Sequence, residues 1–343
     1  MKFTYRTLAV AVAAALVVPT QATFAQDENL TEEVVVIGTR TEGRSALDSP
    51  APVDVIGGET MSNQGDTDMS NLLRNVVPSY NVNDQPISDA ATLVRPANLR
   101  GLAPDHTLML VNGKRRHRAS VITWLGNGIS NGSQGPDAAA IPALALKRIE
   151  VLRDGASAQY GSDAIAGVMN FVLNDAREGG SVEVRYGEYN EGDGEQVTIA
   201  GNIGLPLGDS GFLNLTAEWG ESDPTSRSEQ RADAQGLIDD GYQNVPVPAM
   251  IWGRPIVSDD MKLWANFGVD LSDTLELYGH ANYNSKEVDG GFFFRNPTNR
   301  GAVYSGDGGA TLLIGDLAPN DGVDCPVVTL SLIHISEPTR LRR

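Results

Sequence analysis

Apolar and polar residues alternate with a period of two through much of the second half of the chain. Val182, Val184 and Tyr186 alternate with Glu183, Arg185 and Gly187; Val197, Ile199, Gly201 and Ile203 with Thr198, Ala200 and Asn202; Leu213, Leu215, Ala217 and Trp219 with Asn214, Thr216 and Glu218. The pattern returns at Leu263, Ala265, Phe267 and Val269, and at Leu275, Leu277, Gly279, Ala281 and Tyr283 against Glu276, Tyr278, His280 and Asn282. Successive side chains of a strand point to opposite faces, so each segment predicts a strand with one apolar and one polar face. These five segments, each of about ten residues, suit tilted strands crossing an outer membrane. A soluble β-sandwich alternates in the same way, so periodicity leaves both open. The links favour the barrel: Gly204 to Ser210 and Ser272 to Asp273 are short, whereas Ser222 to Asp260 is a long polar loop. Short turns on the periplasmic side and long loops outside are the habit of bacterial barrels, with the Asn190 to Gly194 turn also outside.

Between Ser45 and about Asn174, short apolar runs are separated by turn residues. Val53 to Ile56, Leu108 to Val111 and Leu144 to Leu152 predict strands, and Met69 to Val76 predicts a helix. Asn112-Gly113 after an apolar strand is a strong hairpin signal. The expectation is a mixed α/β domain over residues 45–175, followed over 176–330 by the first part of an antiparallel transmembrane β-barrel.

The N-terminus carries Lys2 and Arg6, an unbroken apolar run from Leu8 to Val18, and small residues before a cut after Ala25. That is the pattern of a secretory signal peptide over residues 1–25. Nowhere do eighteen apolar residues occur together, so no membrane-spanning helix is expected. Within 26–44, Glu33, Val34, Val35, Val36, Ile37 and Gly38 form a β-branched run with no adjacent hairpin partner, suited to joining the sheet edge of another protein.

Charge narrows the function classes. With 26 Lys+Arg against 44 Asp+Glu, the formal charge is −18. A nucleic-acid partner is excluded, because phosphates call for a basic surplus. Lys114, Arg115, Arg116, His117 and Arg118 form a dense basic cluster against this acidic background. It can draw an anionic ligand by local field, or serve as a solvated loop or as salt-bridge partners of an acidic lumen. The single Cys325 excludes an internal disulfide framework.

Two long motifs carry a family resemblance. Residues 99–115, Leu-Arg-Gly-Leu-Ala-Pro-Asp-His-Thr-Leu-Met-Leu-Val-Asn-Gly-Lys-Arg, and 149–171, beginning Ile-Glu-Val-Leu-Arg-Asp-Gly and ending Gly-Val-Met-Asn-Phe, resemble the plug domain of TonB-dependent outer-membrane receptors. Glu33 to Gly38 resembles the TonB box upstream, and the resemblance covers about residues 31–290. It implies a plug inside a barrel of 22 strands, of which about five or six are present here. It also implies energy-dependent uptake of a scarce solute such as a ferric siderophore, powered by TonB and its inner-membrane energising complex. Oligosaccharide or cobalamin uptake, or a non-transporting structural or adhesive β-protein, are the alternatives. The implied partners are TonB, the solute and outer-membrane lipid, with no cofactor and no metal. The box residues Glu33 to Gly38 would bind TonB, and Arg100, Glu150 and Arg153 would seat the plug on the barrel wall. By position in the family, ligand contacts would come from the loops Val82 to Ala91, including Asp84 and Gln85, and Arg115 to Pro136, together with Lys114.

Enzyme signatures fail. Gly128-Ile129-Ser130-Asn131-Gly132 matches a nucleophile elbow, but no helical pattern follows it. Gly113-Lys114 lacks the remaining residues of a phosphate loop, and Gly155, Gly161 and Gly167 read as turn and close-packing glycines. His106, His117, His280 and His334 stand apart, without metal-ligand spacing. The tail from Leu330 to Arg343 breaks the alternation and resembles translated sequencing-adapter sequence, so residues 331–343 are left out of the fold expectation; a periplasmic extension is the other reading.

Overall fold

The computed structural model describes residues 34–35, 37, 44–45, 52–82, 93–123, 130–290 and 340–342, apart from 67, 96, 242–244 and 273, together with 294 and 296. The expected signal peptide, Cys325 and His334 lie outside the described residues. So does most of the expected tail.

In chain order the strands of the first half are β1 (Val34–Val35), β2 (Arg44–Ser45), β3 (Val53–Gly57), β4 (Tyr80–Val82), β5 (Ala97–Leu99), β6 (Thr107–Val111), β7 (Lys114–Arg115), β8 (Leu146–Leu152) and β9 (Gly167–Leu173). Helices α1 (Gly58–Ser62), α2 (Met69–Val76) and α3 (Ser157–Tyr160) lie between them. Five strands form a mixed sheet in the order β3-β8-β9-β6-β7, in which β6 and β9 run parallel. Every residue of β6 is buried, as continuous apolar text in a central strand requires. The hairpin to β7 turns at Asn112 and Gly113, whose φ values of 47° and 73° are those that Asn-Gly accepts most readily. Gly167, at φ 149°, lies so close to β8 that a Cβ would collide with the Leu152 carbonyl and the Leu99 side chain. It is a close-packing glycine.

Helix α2 has the bounds predicted from sequence. Asp68 caps it, accepting from the backbone N–H of Ser70 at 2.8 Å and of Asn71 at 3.3 Å. Its Met69, Leu72 and Leu73 enter a core with Ile149, Val151, Met169 and Phe171.

The second half is one antiparallel sheet in sequential order: β10 (Gly180–Gly187), β11 (Gln196–Leu207), β12 (Gly211–Ser222), β13 (Ile256–Ser272), β14 (Leu275–Asp289) and β15 (Arg340–Arg342). Five of these strands coincide with the alternating segments, each extended at one or both ends. One expected loop shrinks: β13 begins at Ile256, and the remaining loop contains helix α4 (Ala232–Asp239). Ala234 and Leu237 of α4 form a small core with Ala249 of the same loop and with Phe294, which follows β14. Arg227 pairs with Asp193 and Glu191, bringing the two longer links together at one end of the sheet, while the short links lie at the other.

Burial decides between the sandwich and the barrel. The apolar face is bare: Val182 is 80% exposed, Leu277 50% and Leu263 42%. The polar face is covered by the first domain, with Asn214, Thr216, Lys262 and Asn266 all under 9% exposed. A soluble sandwich would bury the other face. A barrel wall in lipid turns apolar residues outward and polar ones to its lumen. The fold is therefore a mixed α/β plug followed by antiparallel strands of a partial barrel wall, which does not close among the described residues.

Candidate functional site

Val34 and Val35, β-branched and already extended, pair antiparallel with Ser45 and Arg44. This corrects the expectation that the run has no local partner. Ile37 is buried among Leu108, Leu110, Leu152 and Val168 of the plug. Glu33, Val36 and Gly38 lie outside the described residues. Among the described residues, a two-residue ladder and one buried isoleucine hold this segment, and removing the isoleucine from its site costs about 1.5–3 kcal/mol.

The three expected seating residues bond within the plug. Arg153 holds both carboxylate oxygens of Asp54, with Nη2 to Oδ1 at 2.9 Å. Arg100 has a φ of 56°, donates from its backbone N–H to Ser79 O at 2.9 Å and lies 3.9 Å from Asp154. Glu150 is fully buried and accepts from Arg148 Nε at 2.9 Å and Asn170 Nδ2 at 3.1 Å. The reason is placement. Arg100 and Arg153 belong to the end of the plug sheet where β8 finishes and β9 begins, whereas the described wall meets the opposite end, after Val111 and Leu173.

Other residues bridge plug and wall. Asn112 Nδ2 donates to Asn266 Oδ1 at 3.0 Å, and Asn266 Nδ2 to Asn174 O at 3.0 Å. Trp264 Nε1 donates to Ala140 O at 3.0 Å. Arg185 of β10 reaches two plug carbonyls, Asp66 O at 2.6 Å and Ser62 O at 2.7 Å, and Arg254 lies 3.6 Å from the Asp66 carboxylate. The long loop Ser222 to Asp260 thus contributes to the seat through Arg254. Sequence reasoning missed Arg185, Trp264 and Asn266 as contact residues. The available signal was their phase: each is the inward neighbour of an outward apolar residue.

The basic cluster is largely committed to protein partners. Arg116 donates from Nη1 to Asn282 Oδ1 at 3.0 Å and lies 5.1 Å over the Trp264 ring, which stacks on His280. Lys114 sits 5.5 Å over Tyr278. Arg115 pairs with Asp163 at 2.6 Å, and Arg118 lies 3.7 Å from the same carboxylate. His117 is exposed, with contacts of its own. Asp84 and Gln85 lie outside the described residues.

Asp68, the α2 cap, pairs with Arg95. Burial works against its ionisation, but Arg95, Lys262, Lys286 and the Ser70 N–H outweigh burial and draw the carboxyl down to about 2. Its charge is therefore retained at neutral pH, together with the ion pair and the helix cap. Ser130, the central residue of the elbow-like motif, is buried, and its hydroxyl hydrogen-bonds the Asn98 side chain at 3.1 Å. No grouping of His, Cys, Asp and Glu able to hold a metal ion occurs among the described residues.

A plug whose sheet abuts the polar face of an antiparallel wall, with a short paired segment before it, defines a class. The chain matches the TonB-dependent receptor plug domain over residues 45–168. Among particular relatives, it is 28% identical over 204 residues to an iron-regulated outer membrane virulence protein of Vibrio cholerae, covering 58% of this chain and 29% of that protein. It is 29% identical over 259 residues to the vitamin B12 transporter BtuB of Photobacterium profundum, covering 75% of this chain and 38% of that one. A crystal structure of a ferric enterobactin receptor variant from Pseudomonas aeruginosa, in complex with enterobactin, shares the fold. Its TM-score is 0.52 at 21% identity, covering 69% of this chain and 33% of that chain. The chain thus spans about a third of the length of these relatives.

Proposed function

We propose that the protein is an outer-membrane receptor that takes up a scarce solute, with a ferric siderophore as the leading class, at the expense of the inner-membrane proton gradient. The observation that carries this reading is a plug set against the polar face of a lipid-facing wall, with Val34 and Val35 held by a two-residue ladder. Such a segment is extended in advance and can exchange its short local partner for a longer strand of TonB through main-chain hydrogen bonds. Ferric enterobactin receptors among the relatives favour iron chelates; the vitamin B12 transporter keeps cobalamin as the second reading. Lys114, Arg115, Arg116 and Arg118 serve chiefly to anchor β7 and the residues after it to Asp163 and to β13 and β14, and solute contacts fall to other plug loops, Asp84 and Gln85 included.

The test is accumulation of radiolabelled ferric siderophores and cobalamin by cells whose other receptors are deleted, with and without a protonophore. Accumulation of one class that stops on addition of protonophore is expected. Accumulation indifferent to the protonophore would contradict the proposal.

A further inference from the structure

A chain of polar contacts runs from the buried centre of the plug sheet to the wall. Glu150, on β8, is fully buried and holds Asn170 of β9 through Asn170 Nδ2 at 3.1 Å. Asn170 Oδ1 in turn accepts the backbone N–H of Gly113 at 2.9 Å. Gly113 is the second residue of the Asn112-Gly113 turn, and Asn112 is fixed from two further sides. Its N–H donates to Phe171 O at 3.0 Å, and its Oδ1 accepts from the Leu173 N–H at 2.8 Å. Only its Nδ2 leaves the plug, to reach Asn266 of β13 at 3.0 Å, and Asn266 is itself tied to Asn174 O at 3.0 Å.

We infer that Asn112 is the latch of the plug on this part of the barrel wall, with Asn266 as its keeper, and that buried Glu150 is a positioning residue that sets the latch through Asn170 and Gly113. The chemistry fits a contact meant to part. A neutral amide pair is directional but contributes little net free energy. On either side the groups are far more firmly held: Asn112 by two backbone bonds, and the wall around Asn266 by its strand ladder and the buried Lys262–Glu218 pair at 2.6 Å. At this point of the seam, the amide pair is the contact that parts most readily. Burying a carboxylate in the plug core is costly unless it is well bonded, and an acceptor that holds the Asn170 amide in one orientation gives Glu150 a purpose beyond packing.

The experiment uses the receptor in outer-membrane vesicles, with Cys325→Ser to remove the native thiol and Ala140→Cys as the reporter beneath Trp264. Maleimide labelling of that cysteine reads opening of the seam. Asn112→Asp retains the acceptor for the Leu173 N–H and tolerance of the left-handed backbone, while it loses the donor to Asn266. Labelling should rise about fivefold, the weight of one hydrogen bond. Glu150→Leu should raise it to a similar extent, Glu150→Gln, which keeps an acceptor for Asn170, should stay within about twofold of the parent, and Asn112→Asp with Glu150→Leu together should exceed neither single variant, because both act on one contact. Asn266→Ala opens the same seam from the wall side and also frees the Asn174 carbonyl, so it should raise labelling at least as much as Asn112→Asp. Parental labelling in both Asn112→Asp and Asn266→Ala would overturn the latch. Additive effects of Asn112→Asp and Glu150→Leu, or failure of Glu150→Gln to rescue, would overturn the relay.

Discussion

A proline at Val35 is expected to abolish uptake while leaving solute binding at the cell surface unchanged. In the proposed coupling role, Val35 would act by staying extended and lending its main chain to a pairing strand. In the resting plug it pairs with Arg44. Proline removes the N–H that such a ladder needs and permits pairing only at an edge. The resting receptor loses little, because the ladder is two residues long and the substitution leaves Ile37 in place as the buried anchor of the segment. An energised partner loses its grip altogether. Binding of labelled solute to intact cells, set beside its accumulation, separates the two effects. If accumulation survives Val35→Pro, Val34 and Val35 are not the coupling strand.

The strands and their faces were legible in the sequence because a period of two is a local property. Leu213 to Trp219 states both that a strand is present and that Asn214, Thr216 and Glu218 share a face. The start of β13 was hidden because Ser258, Asp259 and Asp260 read as loop. There the register shifts between Ser258 and Met261, and Asp259 adopts a φ of 50°, so the alternation is interrupted while pairing resumes beyond it. The partner of Val34 and Val35 was hidden for another reason: Arg44 and Ser45 carry no strand signal of their own and pair only because the chain returns. The plug motifs gave the domain, and Asn112-Gly113 gave the turn. Nothing local could tell that Asn112 would bond a residue 154 positions away, or that Arg153 would spend its guanidinium on Asp54. Those outcomes depend on which end of the plug sheet meets the wall.

Arginine in place of Leu215 should prevent assembly of the receptor. Leu215 pairs with Ile203 on one side and Ala265 on the other, in the middle of the bare apolar face, while its neighbours Asn214 and Thr216 turn toward the plug. A charged side chain near the bilayer midplane of a barrel costs about 2–4 kcal/mol. The loss falls on the inserted state alone, so the yield of heat-modifiable, membrane-inserted receptor should drop steeply. Leu215→Val keeps the face apolar and should assemble normally. If the face were instead covered by protein in a soluble β-domain, Leu215→Arg would yield a misfolded soluble chain rather than a defect of membrane insertion.

The most direct measurement is a nitroxide scan along Leu213 to Trp219 in outer-membrane vesicles, reading collision with dissolved oxygen against collision with a water-soluble nickel complex. Labels at 213, 215, 217 and 219 should show high oxygen and low nickel access, as lipid-facing positions do, and labels at 214, 216 and 218 should be shielded from both by the plug. A scan without this alternation, or with its phase reversed, would contradict the reading of these strands as a barrel wall around a plug.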